Sequence, residues 1–129
     1  MHNVTERVYI FSVYNSTRDD KLNEEVHNRH LELLKGKGYT PTTVLGRYAG
    51  KDEKSILLYG TNLTEPMVEE FSKVQLQESF LVVYHDGVAE LVFTNGIRKI
   101  IGELKEVTEA VAKSKDAYSN IGKQWFVVE

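Results

Sequence analysis

The sequence predicts an α+β fold of the ferredoxin-like kind: a split β-α-β antiparallel sheet with two helices on one face, plus extra C-terminal hairpin strands. Three observations predict it. Runs dense in β-branched and aromatic residues alternate with two segments of helical periodicity, in the order strand, helix, strand, strand, helix, strand. Turn signals, H-D-G at 85–87 and Asn95-Gly96, then carry the chain into further hairpin strands. The 129 residues, 41% hydrophobic and 27% charged with only two prolines, suit one ordered core, so residues 1–129 read as a single domain.

Each element has a local reason. Arg7–Val13, R-V-Y-I-F-S-V, is the first strand. In the turn-forming Y-N-S-T-R-D-D that follows, Asp19 and Asp20 suit the cap and first turn of a helix, where Glu24 and Glu25 add negative charge. Leu22, Val26, Leu33 and Leu34 recur at helical spacing until Lys35, Lys37 and Gly38 close the helix, giving Lys21–Lys37. Thr42–Arg47 and Ser55–Tyr59 are strands flanking a polar turn with Gly50, a hairpin that holds Tyr48 and Glu53 near each other at its mouth. T-N-L-T-E-P starts the second helix, with Thr64 as cap, Pro66 in the first turn and Met67, Val68, Phe71 and Val74 as its apolar stripe. Ser79–Tyr84 and Ala89–Thr94 form a hairpin, and Ile97–Ile101 is a short strand after the next turn. Residues 108–123 read as a weak helix followed by a loop. The closing Q-W-F-V-V-E is too apolar for a free tail, and either joins the sheet or crosses to a neighbouring subunit. Two helices on one face leave the other face to be covered, for which oligomerisation is the economical answer in so short a chain.

Several functions are disfavoured. Without cysteine there are no disulfides, zinc-thiolate sites or thiol nucleophiles, which fits a reducing cytoplasm. No apolar run approaches the roughly 20 residues of a membrane span, and M-H-N-V-T-E-R has no signal-peptide core, so neither membrane nor export is expected. A net charge of -3 without a basic cluster argues against a nucleic-acid partner. His2, His27, His30 and His85 lack metal-ligand spacing, so no metal site is expected. G-x-G-x-x-G, Walker and G-x-S-x-G motifs are absent. What remains is Tyr48 with Glu53, a phenol and a carboxylate on adjacent strand ends, a rigid pair suited to gripping a small polar ligand. Trp125 reads as a core or interface anchor, and Glu106 as solvent-facing.

Seven pieces occur in order along nearly the whole chain: V-Y-I-F-S-V-Y-N-S, N-R-H-L, G-R-Y followed by E-K-S, F-L-V-V-Y, A-E-L-V-F-T-N-G, G-E-L-K-E-V and K-Q-W-F-V-V. In these the chain resembles the small phage-encoded S-adenosylmethionine (SAM) lyases, formerly described as SAM hydrolases. It departs from them in a shorter segment between Tyr48 and Glu53. The resemblance implies a homotrimer of ferredoxin-like subunits, similar to the nitrogen-regulatory PII proteins, with SAM bound between subunits. It implies catalytic roles for Tyr48 and Glu53, and substrate contacts for Ser12 and Glu106. The expected reaction is cyclisation of SAM to L-homoserine lactone and 5′-methylthioadenosine, with SAM as substrate and no cofactor. It would take place in the cytoplasm of an infected bacterium and serve evasion of SAM-dependent restriction. Two alternatives stay open: hydrolysis of SAM to homoserine and methylthioadenosine, and a non-catalytic PII-like trimer that binds a nucleotide.

Overall fold

The computed structural model describes residues 7–48, 51–60 and 64–129, and of Tyr48 the backbone alone. In chain order the elements are β1 (Arg7–Phe11), α1 (Asp20–Gly36), β2 (Thr42–Tyr48), β3 (Lys51–Gly60), α2 (Glu65–Val74), β4 (Ser79–Tyr84), β5 (Val88–Phe93), β6 (Arg98–Val107), α3 (Glu109–Lys113), β7 (Ala117–Ile121) and β8 (Gln124–Val128). The chain is thus α+β, as expected. Every strand pairing is antiparallel, and the strands close into a barrel in the order β1-β3-β2-β7-β8-β6-β5-β4.

This corrects the expected open sheet. The arc β4-β1-β3-β2 keeps the order of a split β-α-β unit, but β5 to β8 curl round and join β4 back to β2. The architecture is therefore a closed barrel and not a clear ferredoxin-like sheet. Closure also removes the stated reason for oligomerisation, because the sheet face opposite the helices is turned inward. Two segments differ from expectation. The strand expected at Ile97–Ile101 runs on to Val107, and the loop expected before the C-terminal strand contains β7.

Alternation sorts each strand into two faces. Tyr9, Phe11, Ile56, Leu58, Phe80 and Val82 point outward into the larger core, where Leu34 of α1 and Val68 of α2 meet them. Both helices therefore pack on one face, as expected. Ile10, Val44 and Leu57 point inward and form a smaller cluster with Val8, Leu81 and Ile121.

The helix ends follow from sequence. The Asp19 carboxylate accepts from the backbone N–H of Leu22 at 2.8 Å and caps α1. Gly38, at φ +91°, ends it: its N–H donates to Lys35 O and that of Tyr39 to Leu34 O, a Schellman motif. At the end of α2 the equivalent left-handed position is held by Leu76, at φ +59°. Gln77 N–H then donates to Ser72 O at 2.8 Å. Thr64 precedes α2 but makes no side-chain cap there.

Candidate functional site

The β1–α1 segment is a hydrogen-bonded scaffold. The Ser12 hydroxyl donates to Lys54 O at 3.1 Å and accepts from Tyr14 N–H at 3.0 Å. Asn23 Oδ1 accepts from Asn15 N–H at 2.9 Å, and its Nδ2 donates to Asn15 O at 3.1 Å. The Asn15 side chain donates to Gln75 O, Arg18 donates to Val13 O and Gln75 Oε1, and Gln77 donates to Tyr14 O. The first strand, both helices and β3 are thereby fixed relative to one another. A wall built this way offers a ligand preset geometry.

Three cavities adjoin this scaffold, and Glu53 borders all of them. The largest, about 520 Å³, lies on the outer face between α1 and α3, over Leu45 and Gly46 of β2. A second of about 470 Å³ runs along the β1–α1 segment past Arg18 and Leu76. The third, about 340 Å³, includes Ser12, Ser55 and Ser79 above the inward Ile10, Leu81 and Leu91. Ser12 and Glu53 thus share one cavity wall. The only hydroxyl proton of Ser12 is held by Lys54 O, so toward a ligand it serves as an acceptor.

Tyr48 lies at the outer end of β2, its Cα paired with Lys51, two places beyond Gly46, which pairs with Glu53. Its side chain lies outside the described residues, as does the Gly50 turn. Glu106 is elsewhere. From Glu53 the cross-strand partners run Gly46, Ser119, Phe126 and then Glu106, so the two glutamates share one face of the sheet. They stand on opposite strands of the ring, and Glu106 is exposed and borders none of the three cavities.

Tyr14, in two of the cavities, was read from sequence only as turn chemistry. Burial pushes its phenol above the ordinary value; Lys54 opposes the shift, and Glu24, Asp20 and Glu53 add to it. The group stays a neutral hydrogen-bond donor among carboxylates. Lys54 donates to Glu24 at 2.7 Å, which lowers the glutamate's pKa and raises the lysine's. Arg47 pairs with Asp52 at 2.7 Å. Glu53 and Asp20 have no ion-pair partner among the described residues. Across the largest cavity, the Tyr118 and Trp125 rings stand 5.6 Å apart, with Lys113 5.4 Å above Trp125. The signal for Tyr118 was the two-residue Gly122-Lys123 loop joining A-Y-S-N-I to Q-W-F-V-V, whose glycine takes φ +59°. Among the described residues, no three His, Asp or Glu side chains gather as a metal site, and no helix is long and apolar enough to cross a membrane.

The model of the S-Adenosylmethionine lyase family matches residues 9–129, which include every wall of the three cavities. No curated protein matches the chain.

Proposed function

The chain belongs to the S-adenosylmethionine lyase family and is an enzyme of SAM degradation; on that premise we propose that it closes the methionine arm of SAM on itself. The α-carboxylate oxygen attacks Cγ, the Cγ–S bond breaks with its electron pair going to sulfur, and the products are L-homoserine lactone and neutral 5′-methylthioadenosine. Substrate supplies both nucleophile and leaving group, and no proton is transferred. What the protein adds is the cyclising conformation, for which effective molarities reach roughly 10⁵ M or more.

The observation that carries this reading is the position of Glu53, without an ion-pair partner among the described residues where three cavities meet. Positive charge on sulfur disperses in the transition state, so a carboxylate aimed at sulfur would favour the ground state. Glu53 is accordingly assigned to the substrate ammonium or to Tyr48, and Tyr48 to orienting the arm. Ser12 accepts a hydrogen bond from substrate. Glu106, exposed and bordering none of the three cavities, is assigned to a site completed by a neighbouring subunit of a trimer, as the resemblance implies. Removing SAM in the cytoplasm of an infected cell would help a phage evade SAM-dependent restriction, the purpose that the resemblance implies.

Incubating the purified protein with SAM and separating the products tests this. Homoserine lactone and methylthioadenosine are expected in equal amounts, and SAM left intact would overturn the proposal. The route as written asks for no metal ion. Turnover should persist in a chelator, and loss restored by a divalent cation would contradict it.

A further inference from the structure

The largest cavity has two unlike ends, fixed by the order of the strands. Asp20 and Glu24 of α1 and Asp52 to Lys54 of β3 form one wall. Leu45, about half exposed, and Gly46 form the floor on β2. Tyr118, Asn120 and Trp125 of the β7–β8 hairpin form the other wall, with Lys113 of α3. From β3 to β8 there are three strand intervals, about 14 Å at ~4.8 Å each. Glu24 and Asp52 are neutralised by Lys54 and Arg47, whereas Asp20 and Glu53 are not paired among the described residues. The acid wall thus keeps uncompensated negative charge, while the opposite wall is aromatic.

That polarity matches a molecule with a flat base at one end and a cationic arm at the other. Resting on the reading of the chain as a SAM lyase, we infer that the Tyr118–Trp125 ring pair is the adenine platform, and that the arm extends across Leu45 to the acid wall, where Asp20 is unpaired among the described residues. Stacking on such rings needs only a π face; discrimination between bases comes from Asn120. Its amide nitrogen donates to Gly122 O at 3.1 Å and to Gln124 O at 3.0 Å, which uses both N–H groups and fixes the flip of the amide. Oδ1 has no partner among the described residues and serves as an acceptor at the cavity wall. It suits the 6-amino group of adenine and rejects a 6-oxo purine, which presents an acceptor there. These residues bind and select substrate but take no part in bond making.

Trp125 is the only tryptophan, so its emission reports on this wall without labelling. Titrating the intact protein with 5′-methylthioadenosine should change the emission saturably; 5′-methylthioinosine should need at least ~10-fold more, and homoserine lactone should have no effect. Tyr118→Ala should raise KM for SAM about 10-fold while kcat stays within about twofold, the loss expected for one stacking face at ~1–3 kcal/mol per base. Tyr118→Phe should restore KM, which a merely structural role of the hydroxyl would not allow. In a preparation that consumes SAM, emission unmoved by methylthioadenosine, equal response to the inosine form, or unchanged KM in Tyr118→Ala would overturn the placement. A preparation that leaves SAM intact overturns instead the reading on which it rests.

Discussion

At the scale of single residues, the proposal turns on Glu53 and Tyr48. Glu53→Gln removes the charge but keeps the shape, and Tyr48→Phe removes only the hydroxyl. Each should lower kcat about 100-fold, the penalty of a loosely held reacting arm, while circular dichroism stays unchanged. Near-normal rates in both would show that the site is on other strands. The place of Glu53 beside a cavity was legible because it sits next to a turn between two β-rich runs. Tyr14 and Trp125 were not, because a tyrosine past a strand end and an apolar tryptophan look the same in sequence whether they line a cavity or fill a core. His27 is a further case. It lies in an otherwise ordinary helical stretch, yet it is 1% exposed, with Nε2 3.0 Å from Thr43 Oγ1 and Nδ1 without a partner. Burial, with help from Lys54, holds its pKa below the ordinary 6.5. The neutral ring therefore contributes stability above pH 6.5, and that contribution is lost as pH falls from 6.5 toward the lower folded value, where only the unfolded chain takes up the proton. Urea unfolding at pH 7.5 and 5.5 should show a smaller drop in His27→Gln than in the native protein. An equal drop would assign the pH dependence to other groups.

At the scale of elements, sequence served best where a local rule acts alone. The Asp19 cap and the Gly38 stop place α1 within a residue of expectation, because a capping carboxylate and a left-handed glycine act through neighbouring backbone. β7 escaped for the opposite reason. Its A-Y-S-N-I has little β-rich character, and its strand form comes from pairing with β2 and β8 on either side. The length of β6 has a similar origin: a bulge at Ala89/Glu90 re-registers the strand, after which it meets the C-terminus. Glu103 and Glu129 exchange backbone bonds of 2.8 and 3.0 Å there. Gly102 allows this approach, since at φ +137° an added Cβ would stand 2.4 Å from Glu129 O. Gly102→Ala should accordingly destabilise the protein by about 3 kcal/mol, read as a lower urea midpoint with an unchanged slope. A midpoint equal to that of the native protein would mean that the C-terminal residue is easily displaced.

For the whole molecule, strand order was readable through β4, while closure was not, because nothing local tells a final strand whether to extend a sheet or complete a ring. Here the last strands complete it. The barrel interior then needs no partner, and the case for a trimer passes to Glu106, which is exposed and borders none of the cavities that Glu53 borders. Light scattering should give three times the 14.8 kDa chain mass, and Glu106→Ala should weaken turnover while leaving that mass unchanged. A monodisperse monomer that turns SAM over would remove Glu106 from the site. The central claim is that the substrate's own carboxylate is the nucleophile, and it is tested most directly by running the reaction in ¹⁸O-water and analysing the first-formed product. The account predicts homoserine lactone with no label on Cγ, since later opening of the ring occurs at the carbonyl. Homoserine formed first, with ¹⁸O bonded to Cγ, would show that water attacks instead, and would contradict it.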